Sequence, residues 1–189
     1  MINPSQVISD FIEYKGKLIV AANNGGMYEL SGKELVPLEN QESLSGKMIT
    51  DIIKMNDELL VGTKLDGCYV YDGGTLTSWR ANVNGELKSH QLNKLLKLDD
   101  DKLAFGTIKN GVYIYDKKTG VSQILNKKSG LQNNTVLAML KFEDQLWLGL
   151  DNGIARIKLN NAITYFTDNT GALGMVYDME FHNERLYLS

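Results

Sequence analysis

Leu18, Leu59, Leu103, Leu146 and Leu186 recur every 40–44 residues, each opening a short apolar run, and this period constrains the fold more than any other feature. The fullest copy of the repeat runs from Gly130 to Leu159. Thr135 to Phe142 has the composition of a buried strand, Asp144 and Gln145 are turn residues, and Leu146-Trp147-Leu148 forms a second strand. Asp151-Asn152-Gly153 then supplies a tight hairpin, for which Asn and Gly tolerate positive φ, and Ile154 to Lys158 returns with the alternation of a two-faced strand. Small residues close each second strand (Ala21, Gly62, Gly106, Gly149, Ser189), and turn glycines follow at Gly26, Gly67, Gly111 and Gly153.

Laid along the chain, the repeats fall at about 6–46, 47–89, 90–133, 134–173 and 174–189, within one expected domain. In the first, Val7 to Ile12, Leu18 to Ala22 and Met27 to Leu30 precede a weak fourth strand, Leu35-Val36. Pro37 lacks an N–H and so places that strand at a sheet edge. Repeat two continues through Met48 to Ile53, Leu59 to Thr63, Cys68 to Tyr71 and Leu76 to Trp79, and repeat three through Leu92 to Leu98, Leu103 to Phe105, Val112 to Tyr115 and Val121 to Leu125. Repeat four ends with Ile163 to Phe166, and repeat five stops at Ser189 after Met175 to Phe181 and Leu186 to Leu188. Long helix-periodic segments are absent from the sequence, which predicts an all-β protein. Four antiparallel strands per 40–45 residues describe a β-propeller blade: four four-stranded blades plus the first hairpin of a fifth, part of a larger propeller. If the first strand is innermost, the fourth-to-first and second-to-third connections share one rim.

The balance of 20 basic against 23 acidic residues leaves no positive field for nucleic acid or an anionic membrane, and no apolar run approaches the roughly 20 residues a membrane helix needs. Cys68, the single cysteine, reads as core filler, and one thiol gives no internal disulfide. Asn133-Asn134-Thr135 matches a glycosylation pattern by chance. The acidic triplet Asp99-Asp100-Asp101 sits in a first-to-second-strand turn and reads as a solvated turn rather than a metal loop. No zinc spacing, phosphate-cradling loop or nucleophile elbow is present, and His90 and His182 are expected on opposite rims, so neither a cofactor nor a metal is expected.

Candidate binding residues sit in the second-to-third-strand turns: Asn24, Lys64, Asp66, Lys109, Asn110, Asp151 and Asn152. Turn chemistry alone accounts for the Asn and Asp positions; it accounts less well for Lys64 and Lys109. The longer connections at 80–89 and 126–134 add Arg80 and His90, with Asn82 and Asn84 beside them. Trp147, Tyr69, Tyr71, Tyr113 and Tyr115 could stack on sugars, but their strand positions favour a place between blades.

Gly130-Leu131, Asn133 to Val136, Leu146 to Gly149 and Asp151 to Ile154 together resemble the two-component regulator propeller repeat of bacterial hybrid two-component sensors. Val61-Gly62-Thr63 with Gly67, and Phe105-Gly106-Thr107 with Gly111, resemble its second strand and turn. Leu150 departs from the pattern in repeat four, as do Ala21-Ala22 in repeat one. The resemblance implies a non-enzymatic sensing module, periplasmic or otherwise extracytoplasmic, for a nutrient such as an oligosaccharide. A protein-interaction scaffold and a propeller lyase or hydrolase remain as alternatives. Six residues before the first strand cannot supply the outer strands missing from blade five, so self-association through terminal blades is expected as well.

Overall fold

A computed structural model of the chain describes residues 7–23, 25–159, 163–166, 174–183 and 185–189. Asn24, one of the expected site residues, lies outside them. The chain divides into two compact units, Met1–Leu92 and Asn93–Ser189. No helix among the described residues is long and apolar enough to cross a membrane.

The first unit holds two blades. Blade 1 is β1 (Ile8–Tyr14), β2 (Lys17–Ala22), β3 (Met27–Ser31) and β4 (Glu34–Pro37); blade 2 is β5 (Ile49–Met55), β6 (Glu58–Thr63), β7 (Gly67–Tyr71) and β8 (Leu76–Ser78). Each is an antiparallel meander in chain order, with Pro37 on the edge strand opposite Tyr28. The first strands of the two blades lie side by side, where Asp10 Oδ2 accepts a hydrogen bond from the Ile52 N–H at 2.9 Å. Between the blades, Ile19, Met27, Leu44, Ile49 and Leu59 form the centre of a single core. Both first strands carry a bulge at the same place, between Ile8 and Asp10 and between Ile49 and Asp51. Ser9 and Thr50, skipped by the pairing, turn their hydroxyls onto the Ala21 and Gly62 carbonyls.

In the second unit, blade 3 comprises β9 (Leu92–Lys97), β10 (Lys102–Thr107), β11 (Val112–Asp116) and β12 (Ser122–Leu125). Blade 4 comprises β13 (Val136–Phe142), β14 (Gln145–Leu150), β15 (Gly153–Lys158) and β16 (Ile163–Phe166), and a closing hairpin joins β17 (Met179–His182) to β18 (Arg185–Leu188). The small residues that end the second strands set the distance between blades. A side chain added at Gly106 would begin 2.7 Å from Val136 of the next blade, and one at Gly149 would begin 3.0 Å from Val176. Tyr71, Tyr113 and Tyr115 are buried, as their strand positions imply, and Tyr69 and Trp147 are half-buried. Cys68 is fully buried, and desolvation followed by the charge of Asp51 pushes its thiol pKa up.

Two local expectations change. The connection after blade 2 contains a helix, α1 (Asn84–His90), which packs on β7 through the fully buried Leu87. Seven residues give too few turns for a legible period, and a helix so short is held by packing rather than propensity. The blade 4 hairpin also avoids positive φ at Asp151 and Asn152; Gly153 alone takes it, at 131°. Left-handed residues cluster instead in the first-to-second-strand turns, at Lys15, Asn56, Glu143 and Asn183.

Candidate functional site

Within each unit the second-to-third-strand turns meet the fourth-to-first-strand connections, so the expected rim exists. In blade 2, Thr63 Oγ1 donates to the Gly67 carbonyl at 2.7 Å and accepts from the Asp66 N–H at 3.2 Å. In blade 3, Thr107 does the same with Gly111 at 2.8 Å and Asn110 at 3.0 Å. A buried threonine therefore closes each five-residue turn, satisfying polar groups that would otherwise be orphaned. Blade 4 has a turn one residue shorter, needs no such closure, and places the fully buried Leu150 at that position.

On the rim of the first unit, amide side chains clamp the start of each third strand. Gln41 accepts from the Met27 N–H at 2.6 Å and donates to its carbonyl at 3.0 Å. Asn84, buried at the head of α1, accepts from the Cys68 N–H at 2.7 Å and donates to the carbonyls of Cys68 and Trp79 at 3.3 and 2.8 Å. Gly67, at φ +76°, brings its backbone against the Asn84 amide, leaving no room for a Cβ. Asp66 faces Lys47 Nζ at 3.2 Å, and that hydrogen bond raises the lysine pKa. Lys64 is half-buried, its N–H spent on the Met48 carbonyl at 2.9 Å. Arg80 is exposed, while His90 closes α1 with Nδ1 3.5 Å from Glu86. Leu65 and Met48, neither legible as site residues, are 60% and 46% exposed on this rim.

An asparagine network organises the rim of the second unit. Asn110 donates to the Tyr113 hydroxyl at 2.7 Å and accepts from Asn126 at 2.8 Å, so both ends of its amide serve the scaffold. Asn126 also caps the short turn Lys127–Ser129, and Asn134 joins Lys109 to Lys127 through their backbones. Asn133 accepts from the Thr135 N–H at 3.0 Å, and the Thr135 hydroxyl donates across to the Ile108 carbonyl at 3.1 Å. Lys109, Asp151 and Asn152 are left exposed. Gln132 reaches across to donate to the Asn152 carbonyl at 3.3 Å, while its buried Oε1 accepts no hydrogen bond among the described residues. Sequence reasoning missed Gln132, because a lone glutamine carries no turn or motif signal.

Elsewhere the acidic triplet is engaged as a turn. Asp99 Oδ1 accepts from the N–H groups of Asp101 and Lys102, Asp100 pairs with Lys97, and Asp101 pairs with Lys118. No group of three or more His, Cys, Asp or Glu side chains able to hold a metal occurs among the described residues.

No family model matches the chain, and no curated protein matches it. Solved structures do. The extracellular domain of the hybrid two-component system BT4673 of B. thetaiotaomicron superposes on the whole chain at 18% identity with a TM-score of 0.76, and that of BT3049 on 96% of it at 15% identity and 0.74. The WD40 β-propeller domain of Doa1 follows 96% of the chain at 11% identity and 0.68. At these identities the likeness establishes the β-propeller fold. The chain spans 26% and 27% of the length of the two bacterial domains.

Proposed function

We propose that the chain is a ligand-sensing propeller module of a bacterial two-component-type receptor, working outside the cytoplasm without catalysis of its own. The observation that carries this reading is the likeness, along the whole chain, to domains described as extracellular parts of hybrid two-component systems. Local chemistry supports a polar ligand on the rim of the second unit. Lys109, Asp151 and Asn152 keep exposed side chains there, with donors and acceptors open to a hydroxyl-rich molecule such as an oligosaccharide. Titrating the chain with a panel of oligosaccharides tests the reading, since a ligand of the folded state raises the melting temperature. A shift that Lys109→Ala with Asn152→Ala weakens supports it, and a panel without any shift overturns it.

A second reading, a protein-interaction scaffold, draws on the rim of the first unit. There the exposed Met48 and Leu65 stand beside the Lys47–Asp66 ion pair, a small apolar patch with a charged border. Recovery of a protein partner whose binding is lost in Leu65→Asp selects this alternative. Self-association, also expected for the terminal blades, would appear in sedimentation as a mass that rises with concentration.

A further inference from the structure

The grooves that open between neighbouring blades on the opposite rim differ between the two units. In the first unit the groove is narrow, about 250 Å³. Tyr14 and Tyr71 fill it, with ring centroids 6.2 Å apart and the Tyr14 hydroxyl bonded to the Asp57 carbonyl at 2.6 Å. Its charges are also spent: Lys17 pairs with Glu29 at 2.7 Å, and Lys15 donates to the Asp72 carbonyl at 2.9 Å. At the corresponding positions of blades 3 and 4 stand Leu98 and Ile157, smaller side chains that join the local core instead. The groove there measures about 520 Å³, within the range of small-molecule sites.

Its lining has two kinds of surface. Leu98, Ile114 and Leu159 make an apolar floor. Around it stand the amines of Lys102 and Lys141 and the carboxylates of Glu143 and Asp144, whose charged ends form no hydrogen bond or close ion pair among the described residues. The groove's other two carboxylates are held by backbone hydrogen bonds, and Lys102, opposite Asp116 in the sheet, helps to lower that carboxyl's pKa. Asp99 accepts from the Lys102 and Asp101 N–H groups, and Asp116 from the N–H groups of Lys118 and Thr119 at 2.8 and 3.0 Å. No aromatic ring occurs among the described lining residues, so the stacking surface that saccharides favour is missing.

We propose that the groove between blades 3 and 4 binds a small zwitterion with an apolar body, of the class of a free dipeptide bearing aliphatic side chains. The ligand carboxylate meets Lys102 and Lys141, its ammonium meets Glu143 and Asp144, and its side chains cover Leu98, Ile114 and Leu159. Charges of both signs border the apolar floor, and a molecule lacking either charge leaves side chains of the opposite sign without a partner.

Leucyl-leucine titrated into the full chain, followed by calorimetry and amide chemical shifts, tests this site, with N-acetyl-leucyl-leucine amide and maltose as controls. Binding is expected for the free dipeptide, with shifts centred on the turns at 98–102 and 141–145. Blocking both termini should weaken it about fivefold or more, as should K102Q with K141Q or E143Q with D144N. An unchanged melting temperature shows that the variants fold. Absence of dipeptide binding, equal binding of the blocked dipeptide, preference for maltose, or variants that bind as well as the parent would each overturn the proposal. The chemical shifts keep this site apart from the oligosaccharide reading: maltose shifts centred on Lys109, Asp151 and Asn152 would bear on that reading, whose residues lie at the other end of the strands.

Discussion

Blades 1 and 2 open with nearly the same segment, Ser9-Asp10-Phe11-Ile12 and Thr50-Asp51-Ile52-Ile53, and bury it differently. Phe11 and Ile8 are 66% and 40% exposed, whereas Ile52 and Ile49 are 3% and 0% exposed. The strands share their bulge and their pairing with the second strand, so nothing within the blade explains the contrast. A neighbour does. β5 lies against β1, and the Ile52 N–H bonds to Asp10 Oδ2 as well as to its own Asp51 at 3.2 Å; the Phe11 N–H bonds to its own Asp10 alone, at 2.9 Å. Burial of a first strand is thus conferred by the blade before it, the nearest-neighbour logic of repeat proteins.

The sharpest way to break this comparison is to truncate both strands. Ile52→Ala removes a buried side chain and should cost about 2–4 kcal/mol, while Phe11→Ala should change stability by less than about 0.5 kcal/mol. Equal losses in urea denaturation would mean that β1 is covered in solution. The amide clamps come next. Asn84→Ala leaves the buried Cys68 N–H and carbonyl without their side-chain partner and should cost about 1–3 kcal/mol, more than Gln41→Ala, whose half-buried side chain makes two such bonds rather than three. If the glutamine variant is the weaker protein, burial of the clamping side chain does not set the strength of a clamp. Asp10→Ala should then cost about 1 kcal/mol through the lost bond to Ile52, measurable as a lowered denaturation midpoint.

The smallest effect concerns the outer hairpin of blade 2. Asp72 accepts from the Thr75 N–H, the Thr75 hydroxyl and the Gly74 N–H, bonds that push its pKa down to about 2 from the ordinary 3.8. A lowered folded-state pKa stabilises the fold above pH 3.8, and that contribution fades as the pH falls through about 2. Carboxyl carbon shifts followed by NMR should therefore show Asp72 titrating near 2; a midpoint near 3.8 would mean that the turn is open in solution.

Much of this architecture was legible because a strand repeat leaves two signals at once: apolar alternation, and turn residues at every boundary. The leucines at 18, 59, 103, 146 and 186 each fall in a second strand, and Pro37 lies on an edge strand. The site was less legible. Asp66 and Asn110 looked like free polar groups on a rim, yet one is paired with Lys47 and the other is bonded at both ends of its amide. Sequence marks where a polar residue sits along a turn; whether its side chain points outward depends on a connection 16 or more residues away. Lys47 is 19 residues from Asp66, and Asn126 is 16 from Asn110.

By itself, the sequence determined the blade: its four-strand meander, its turns and the small residue that ends each second strand, because these follow from local backbone geometry and a period of two. Only the tertiary structure decided which chemically similar residues are buried, clamped or free. Phe11 and Ile52 differ by a neighbouring blade, Asn110 and Asn152 by a partner side chain, and the two inter-blade grooves by the exchange of two tyrosines for Leu98 and Ile157. Such differences arise from contacts between segments far apart in the chain, and no local pattern encodes which of them will meet.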